Sequence, residues 1–259
     1  MCKYVLVTTL IGMLLFSAAL AQDQSAPPAD TVTLWHEVKA LVPTCVLLPP
    51  DFDPKAPHTL ILALHGYSSR AESFTRFAPP FTQNGYIFAV PEAAYAVLDD
   101  EGQLAYDWWL YQLPDEEIHR RAIMILIKDH LPAIVNDLQH RYNINQVYVL
   151  GFSQGAITAY LVGIYRHELF DGIIAFGNIT KAEWYPGNTL SEGRNVRILI
   201  LHGKEDERVP FSGAERTRDL LIEHGYDVTF RAFEGGHVVP RDELGFVINW
   251  IRAGINGNR

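Results

Sequence analysis

The chain predicts an α/β fold with a mainly parallel central sheet covered by helices on both faces, and three observations carry that expectation. Short apolar runs alternate with longer helix-like stretches along almost its whole length. One of these runs ends in a glycine-bracketed serine directly before a helix-like stretch. The 259 residues, 48% of them apolar, are enough for one domain with a continuous core.

The elements follow in chain order. Thr31 to Val38 and Thr44 to Leu48 read as an antiparallel start to the sheet. The apolar run Thr59 to Leu64 is a strand, Ala71 to Gln83 a helix, and Tyr86 to Val90 the next strand. A long helical stretch covers Glu116 to Tyr142, and Pro132 should kink or split it because proline has no amide hydrogen to donate. Beyond it lie the strands Gln146 to Leu150, Gly172 to Ala175, Val196 to Leu201 and Val228 to Phe233. Helices are expected at Ala156 to Glu168, Gly213 to His224 and Asp242 to Arg252. No internal repeat is visible.

Gly151-Phe152-Ser153-Gln154-Gly155 has the form of a nucleophile elbow, in which a strand ends in a sharp turn, lifts a serine above the sheet and passes at once into a helix. Side chains at the two glycine positions would collide with the strand or the helix. A serine hydroxyl is a poor nucleophile at neutral pH, so this chemistry needs a histidine to take its proton and a carboxylate to orient the histidine. Both are expected later in the chain, acid first, on loops after strands. The loop His202 to Pro210 holds Glu205, Asp206 and Glu207, of which Asp206 suits best as a short carboxylate that a turn can hold rigidly. The strand ending at Phe233 runs into Glu234-Gly235-Gly236-His237, where the glycines let the backbone swing back toward Ser153. His237 is the candidate base. His119, His130, His140, His167 and His224 fall in helical stretches, His36 and His58 lie in segments that read as exposed, and His202 precedes the acid. For the oxyanion hole the candidates are the backbone amides of Gln154, which follows the nucleophile, and of Tyr67, in the His65-Gly66-Tyr67 segment after the Thr59 to Leu64 strand.

Leu64-His65-Gly66, Gly151 to Gly155, His202 to Pro210 and Gly236-His237 together resemble the motif blocks of the phospholipase/carboxylesterase family of α/β-hydrolases, which includes the acyl-protein thioesterases. The resemblance runs from about Pro43 to the C-terminus. It implies the α/β-hydrolase fold, a serine esterase with Ser153 as nucleophile, Asp206 as acid and His237 as base, and oxyanion amides at Tyr67 and Gln154. The chain departs from the family in having Tyr67 to Glu72 where thioesterase members carry a glycine-rich acidic segment.

The N-terminus is a second departure. Met1-Cys2-Lys3 is a short basic start, Tyr4 to Leu20 is almost wholly apolar, and Ala19-Leu20-Ala21 supplies a small-residue cleavage site. Residues 1–21 are therefore expected to be a signal peptide, 22–30 a disordered leader, and 31–259 the catalytic domain of a secreted or periplasmic protein. Cleavage would remove Lys3 and no acid, moving the formal charge from -9 to -10. That balance opposes nucleic acid and anionic membranes as partners. Of the two cysteines, Cys2 would leave with the signal and Cys45 reads as a small buried hydrophobe. Neither metal-ligand spacing nor a cofactor motif is present.

The long connection from Pro91 to Asp115 carries Tyr95, Tyr106, Trp108, Trp109 and Tyr111, and Trp184-Tyr185 follow a later strand. Converging above Ser153, these would line an apolar acyl or aryl pocket, with Trp108 and Trp109 the candidate substrate-binding residues. The family resemblance also puts Asp107 and Trp109 nearest the segment that shapes its substrate groove. The expected function is an exported serine carboxylesterase acting on small or lipid-like esters without a cofactor. A serine peptidase of the same fold and a non-catalytic binding protein on that scaffold are the alternatives.

Overall fold

In a computed structural model that describes residues 41–110 and 115–257, seven strands form one sheet with the order β1-β3-β2-β6-β7-β8-β9. These are β1 (Thr44–Leu47), β2 (His58–Leu64), β3 (Ile87–Pro91), β6 (Ile144–Phe152), β7 (Gly172–Phe176), β8 (Arg197–Gly203) and β9 (Val228–Phe233). Every neighbouring pair is parallel except β1 with β3, where Thr44 faces Pro91 and Leu47 faces Phe88. The expected segment Thr31 to Val38, the signal and leader segments and Tyr111 lie outside the described residues.

Parallel strands buried on both faces need apolar side chains at every position, which is why their sequences read as runs and do not alternate. β2, β3 and β7 are buried at every residue. Successive residues point to opposite faces and feed two separate cores. Leu60, Leu62, Val149, Ile173 and Ile200 belong to one, and Ile61, Phe88, Leu150, Ile174 and Leu199 to the other. Three helices, α1 (Ala71–Phe74), α2 (Ala78–Thr82) and α8 (Leu244–Gly257), supply Phe74, Phe81, Val247 and Ile251 to the second core. The first core is closed by α3 (Glu116–Ile125), α4 (Leu131–Arg141), α5 (Gln154–Tyr165), α6 (Thr189–Glu192) and α7 (Phe211–Glu223). Burial of each large apolar side chain stabilises the fold by roughly 1.5–3 kcal/mol.

Several elements depart from the sequence expectation. The helix expected over Ala71 to Gln83 is broken by a 3-10 turn at Thr75–Phe77, because Pro79 and Pro80 have no amide hydrogens to continue the ladder and instead start α2. The long helix splits at a π-helical turn, Leu126–His130, just before Pro132. The carbonyl of Lys128, which Pro132 leaves without a helical donor, accepts a hydrogen bond from Arg166 Nη1 at 2.8 Å. His58 is buried at the start of β2, with Nε2 2.7 Å from the Asp53 carbonyl and its ring stacked on Phe52. Cys45 is half-buried against the second core.

The connection after β3 contains a hairpin that the sequence reading did not anticipate, β4 (Tyr95–Leu98) with β5 (Leu104–Asp107). Asp99 makes its turn: Oδ1 accepts from the amides of Glu101 and Gln103, and Gly102 takes a φ of +74°. The acidic run ending in glycine between two short apolar segments was the available signal.

Trp250 docks α8 on the sheet. Its indole donates to Thr229 Oγ1 at 2.9 Å, its ring meets Tyr148 edge-on, and the Arg197 guanidinium lies 4.5 Å from its centroid. Trp250→Ala is expected to cost about 3–5 kcal/mol and to lower the thermal midpoint by roughly 6 °C or more in a calorimetric scan. Trp250→Phe, which keeps most of the packing, should cost far less.

Candidate active site

Ser153 sits at the junction of β6 and α5 with φ 54° and ψ -119°, a backbone conformation that L residues adopt only under strain. Its amide donates to the Phe176 carbonyl at 3.0 Å, tying the turn to the neighbouring strand. The flanking glycines are required by close approach. A Cβ on Gly151 would stand 2.1 Å from the Gly155 carbonyl oxygen, and one on Gly155 would stand 2.2 Å from the carbonyl oxygen of Leu64. Backbone can yield at neither place.

Loops after β8 and β9 bring two more groups to this serine. His237 Nε2 lies 2.9 Å from Ser153 Oγ, and Nδ1 lies 2.8 Å from Asp206 Oδ2. A carboxylate only accepts, so Nδ1 carries the hydrogen and Nε2 offers its lone pair to the serine hydroxyl. The Phe152 ring packs 4.9 Å from the imidazole, centroid to centroid. The His237 loop is held in turn, since Gly235 takes a φ of +131° and its carbonyl accepts from the Glu205 amide at 3.0 Å.

Asp206 is buried, while Glu205 and Glu207 on either side face solvent. Its Oδ1 accepts from the amides of Arg208 and Val209, both at 2.9 Å. Burial acts to raise its pKa, but the Val209 amide, His237 and the Arg208 amide together outweigh it and hold the carboxyl below its ordinary value. His202 lies beneath this loop, fully buried. Its Nε2 donates to the Val209 carbonyl at 2.8 Å and stands 3.5 Å from Asp206 Oδ2, so it braces the acid's loop and does not reach toward Ser153.

Gln154, the first residue of α5, is buried at 1% exposure and its side chain does work that the sequence did not disclose. Oε1 accepts from the Trp108 amide at 3.0 Å, and Nε2 donates to the Trp109 carbonyl at 3.2 Å. The loop after β2 carries Tyr67, half-exposed, and Ser68, whose φ is 49°. Trp108 is buried in the core with its indole donating to the His65 carbonyl at 2.8 Å, so it supports the site from beneath. Trp109 instead lines a cavity of about 450 Å³ together with Ile123, Met124, Ile157, Leu161 and Trp184. Trp184 was singled out in the sequence, whereas the α3 and α5 walls were not, because their helical spacing reads equally well as core.

An elbow serine bonded to a histidine, itself bonded to a buried carboxylate, on a parallel sheet between helical layers, defines the serine-hydrolase class of α/β protein. The sequence model of the phospholipase/carboxylesterase family matches residues 53–255, and the chain belongs to that family. It is 28% identical over 106 residues to an acyl-protein thioesterase 1 of Gibberella zeae, covering 39% of this chain and 45% of that protein. It is 27% identical over 110 residues to a probable carboxylesterase of Oryza sativa subsp. japonica, covering 42% and 47%. The matched region is thus less than half the length of either relative. Among solved structures, esterase PE8 superposes with a TM-score of 0.67 at 24% identity, covering 83% of this chain and 99% of that one. A Bacillus cereus carboxylesterase does so with a TM-score of 0.65 at 16% identity, covering 83% and 95%. At these identities the likeness is one of α/β-hydrolase fold.

Because the folded pKa of Asp206 is depressed, its stabilising contribution is complete above the unfolded value of about 3.9 and is lost as pH falls through the lower folded value. Asp206→Asn should therefore melt well below the parent protein at neutral pH. The gap should close on acidification below about pH 4 in paired thermal scans.

Proposed function

We propose that the protein is an exported serine carboxylesterase that hydrolyses carboxylic esters through an acyl-enzyme intermediate. The observation that carries this reading is the unbroken chain of hydrogen bonds from Asp206 through His237 to Ser153. Ser153 Oγ attacks the ester carbonyl carbon as its proton passes to His237 Nε2, and Asp206 stabilises the imidazolium that forms. The backbone amides of Tyr67 and Gln154 bind the developing oxyanion, and loss of one such donor costs about 3 kcal/mol. The proton on Nε2 then goes to the leaving alkoxide, and water repeats the sequence to release the acid and restore the serine.

The cavity beside Trp109 supports an apolar acyl or aryl group on the substrate, since most of its lining is aromatic or aliphatic, with Glu116, His119, Arg120 and Glu183 as the charged or titratable exceptions, and Ile157 on its wall lies one helical turn beyond the elbow. The chain needs no cofactor for this chemistry. Among the described residues no group of His, Cys, Asp or Glu is arranged to hold a metal ion, and no helix is long and apolar enough to cross a membrane. The basic start, apolar run and Ala19-Leu20-Ala21 ending support export with residues 1–21 removed.

Ser153→Ala is expected to abolish both labelling by a fluorophosphonate probe and turnover of p-nitrophenyl esters while leaving the protein folded. Labelling that persists in this variant would remove Ser153 from its role. On an ester panel, Trp109→Ala should raise KM for aryl and longer-chain substrates by about tenfold with little change for acetate, the cost of losing one buried aromatic contact. N-terminal sequencing of protein recovered outside the cytoplasm should begin at Gln22, and a start at Met1 would refute cleavage.

A further inference from the structure

We propose that Asp107 is a positioning residue for the oxyanion hole, holding the loop that presents the Tyr67 amide through a hydrogen bond from the Ser68 N–H. This rests on the esterase reading of the site and adds a residue to it. Asp107 is the last residue of β5 and is 2% exposed. Its Oδ1 accepts from the Ser68 amide at 2.7 Å, a short, charge-assisted bond across 39 residues of chain. Burial pushes its carboxyl up, an effect that the Ser68 amide and His65 partly offset, so the position is an expensive one for an acid.

What that carboxylate holds is a strained loop. Ser68 has a φ of 49° with no glycine to relieve it, a conformation that persists only where its surroundings enforce it. Ser69 joins in, its amide and carbonyl paired with the carbonyl and amide of Tyr106 at 3.3 and 2.8 Å. One residue further on, the Trp108 indole reaches the carbonyl of His65, while the Trp108 amide and the Trp109 carbonyl are both taken by the Gln154 side chain. The exit of β5 therefore spans the two halves of the oxyanion hole. One end fixes the loop of Tyr67, and the other is fixed to the residue whose own amide is the second donor. The direction of the Tyr67 N–H matters most when charge has developed on the substrate oxygen, so loosening the loop falls on kcat and spares KM.

The test compares Asp107→Ser, Asp107→Ala and Asp107→Asn in the full chain, using a p-nitrophenyl ester and the second-order rate of fluorophosphonate labelling. Serine and alanine cannot span to the Ser68 amide. These variants should lose kcat by about 10–100-fold with KM within about threefold, and labelling should slow in step. Asparagine keeps an acceptor oxygen in place and should retain kcat within about threefold of the parent. Parental kcat in a folded Asp107→Ser, a change confined to KM, or an Asp107→Asn as slow as Asp107→Ser would overturn the proposal. Amide hydrogen exchange on the unmodified protein gives an answer independent of any variant's folding. Ser68 should exchange slowly, and rapid exchange there would also overturn it. If the parent protein neither turns over esters nor takes the probe at Ser153, the esterase reading itself falls. Normal parental activity with indifferent Asp107 variants sinks only the role of Asp107.

Discussion

The structure depends on a contact between backbones. The first turn of α5 approaches the carboxyl ends of β2 and β6 so closely that the Gly155 Cα faces the Leu64 carbonyl and the Gly155 carbonyl faces Gly151, with no room for a methyl group at either place. This packing forces the chain to reverse within two residues and raises Ser153 above the sheet at a positive φ, where the Phe176 carbonyl catches its amide. The other groups are positioned relative to this point. Loops after β8 and β9 bring the acid and the imidazole, and the Ser68 amide ties the loop after β2 to Asp107 at the exit of β5.

Two buried carboxylates illustrate how the loops around the serine are made exact. Each leaves water, which works against its charge, and each is compensated by backbone amides. Asp206 receives two amides and the imidazole, and the balance ends in favour of the charged form. Asp107 receives the Ser68 amide, and burial prevails. In both cases the hydrogen bonds fix the path of a loop as well as satisfying a carboxylate. A fully buried imidazole, His202, adds a strut beneath the first of these loops by reaching the Val209 carbonyl.

Much of this was legible in the residues, for reasons that differ by element. Strands of a parallel sheet advertise themselves as unbroken apolar runs because both faces are covered, so β2, β7 and β8 fall where those runs do. The elbow is legible because its steric demand leaves only glycine at 151 and 155. Ser153, Asp206 and His237 are drawn together as the order of their loops implies. What escaped notice depends on tertiary partners that local sequence does not encode. The β4–β5 hairpin is a pair of four-residue strands, too short for periodicity to register. Nothing in a local string shows that the Gln154 side chain, besides its amide, ties down Trp108 and Trp109, or that Trp108 turns inward while Trp109 faces a cavity. His58 reads as exposed because Lys55 and Pro57 precede it in sequence, yet it is buried where β2 begins, with its ring stacked on Phe52.

The left-handed backbone at position 153 sets stability against chemistry at a single residue. Glycine would occupy that conformation without steric penalty, and any side chain there is tolerated at a cost of order 1 kcal/mol or more. A chain shaped by folding alone would relax at this spot. The hydroxyl persists where the scaffold would rest more easily without it, which marks residue 153 as a place where durability has been surrendered for reactivity.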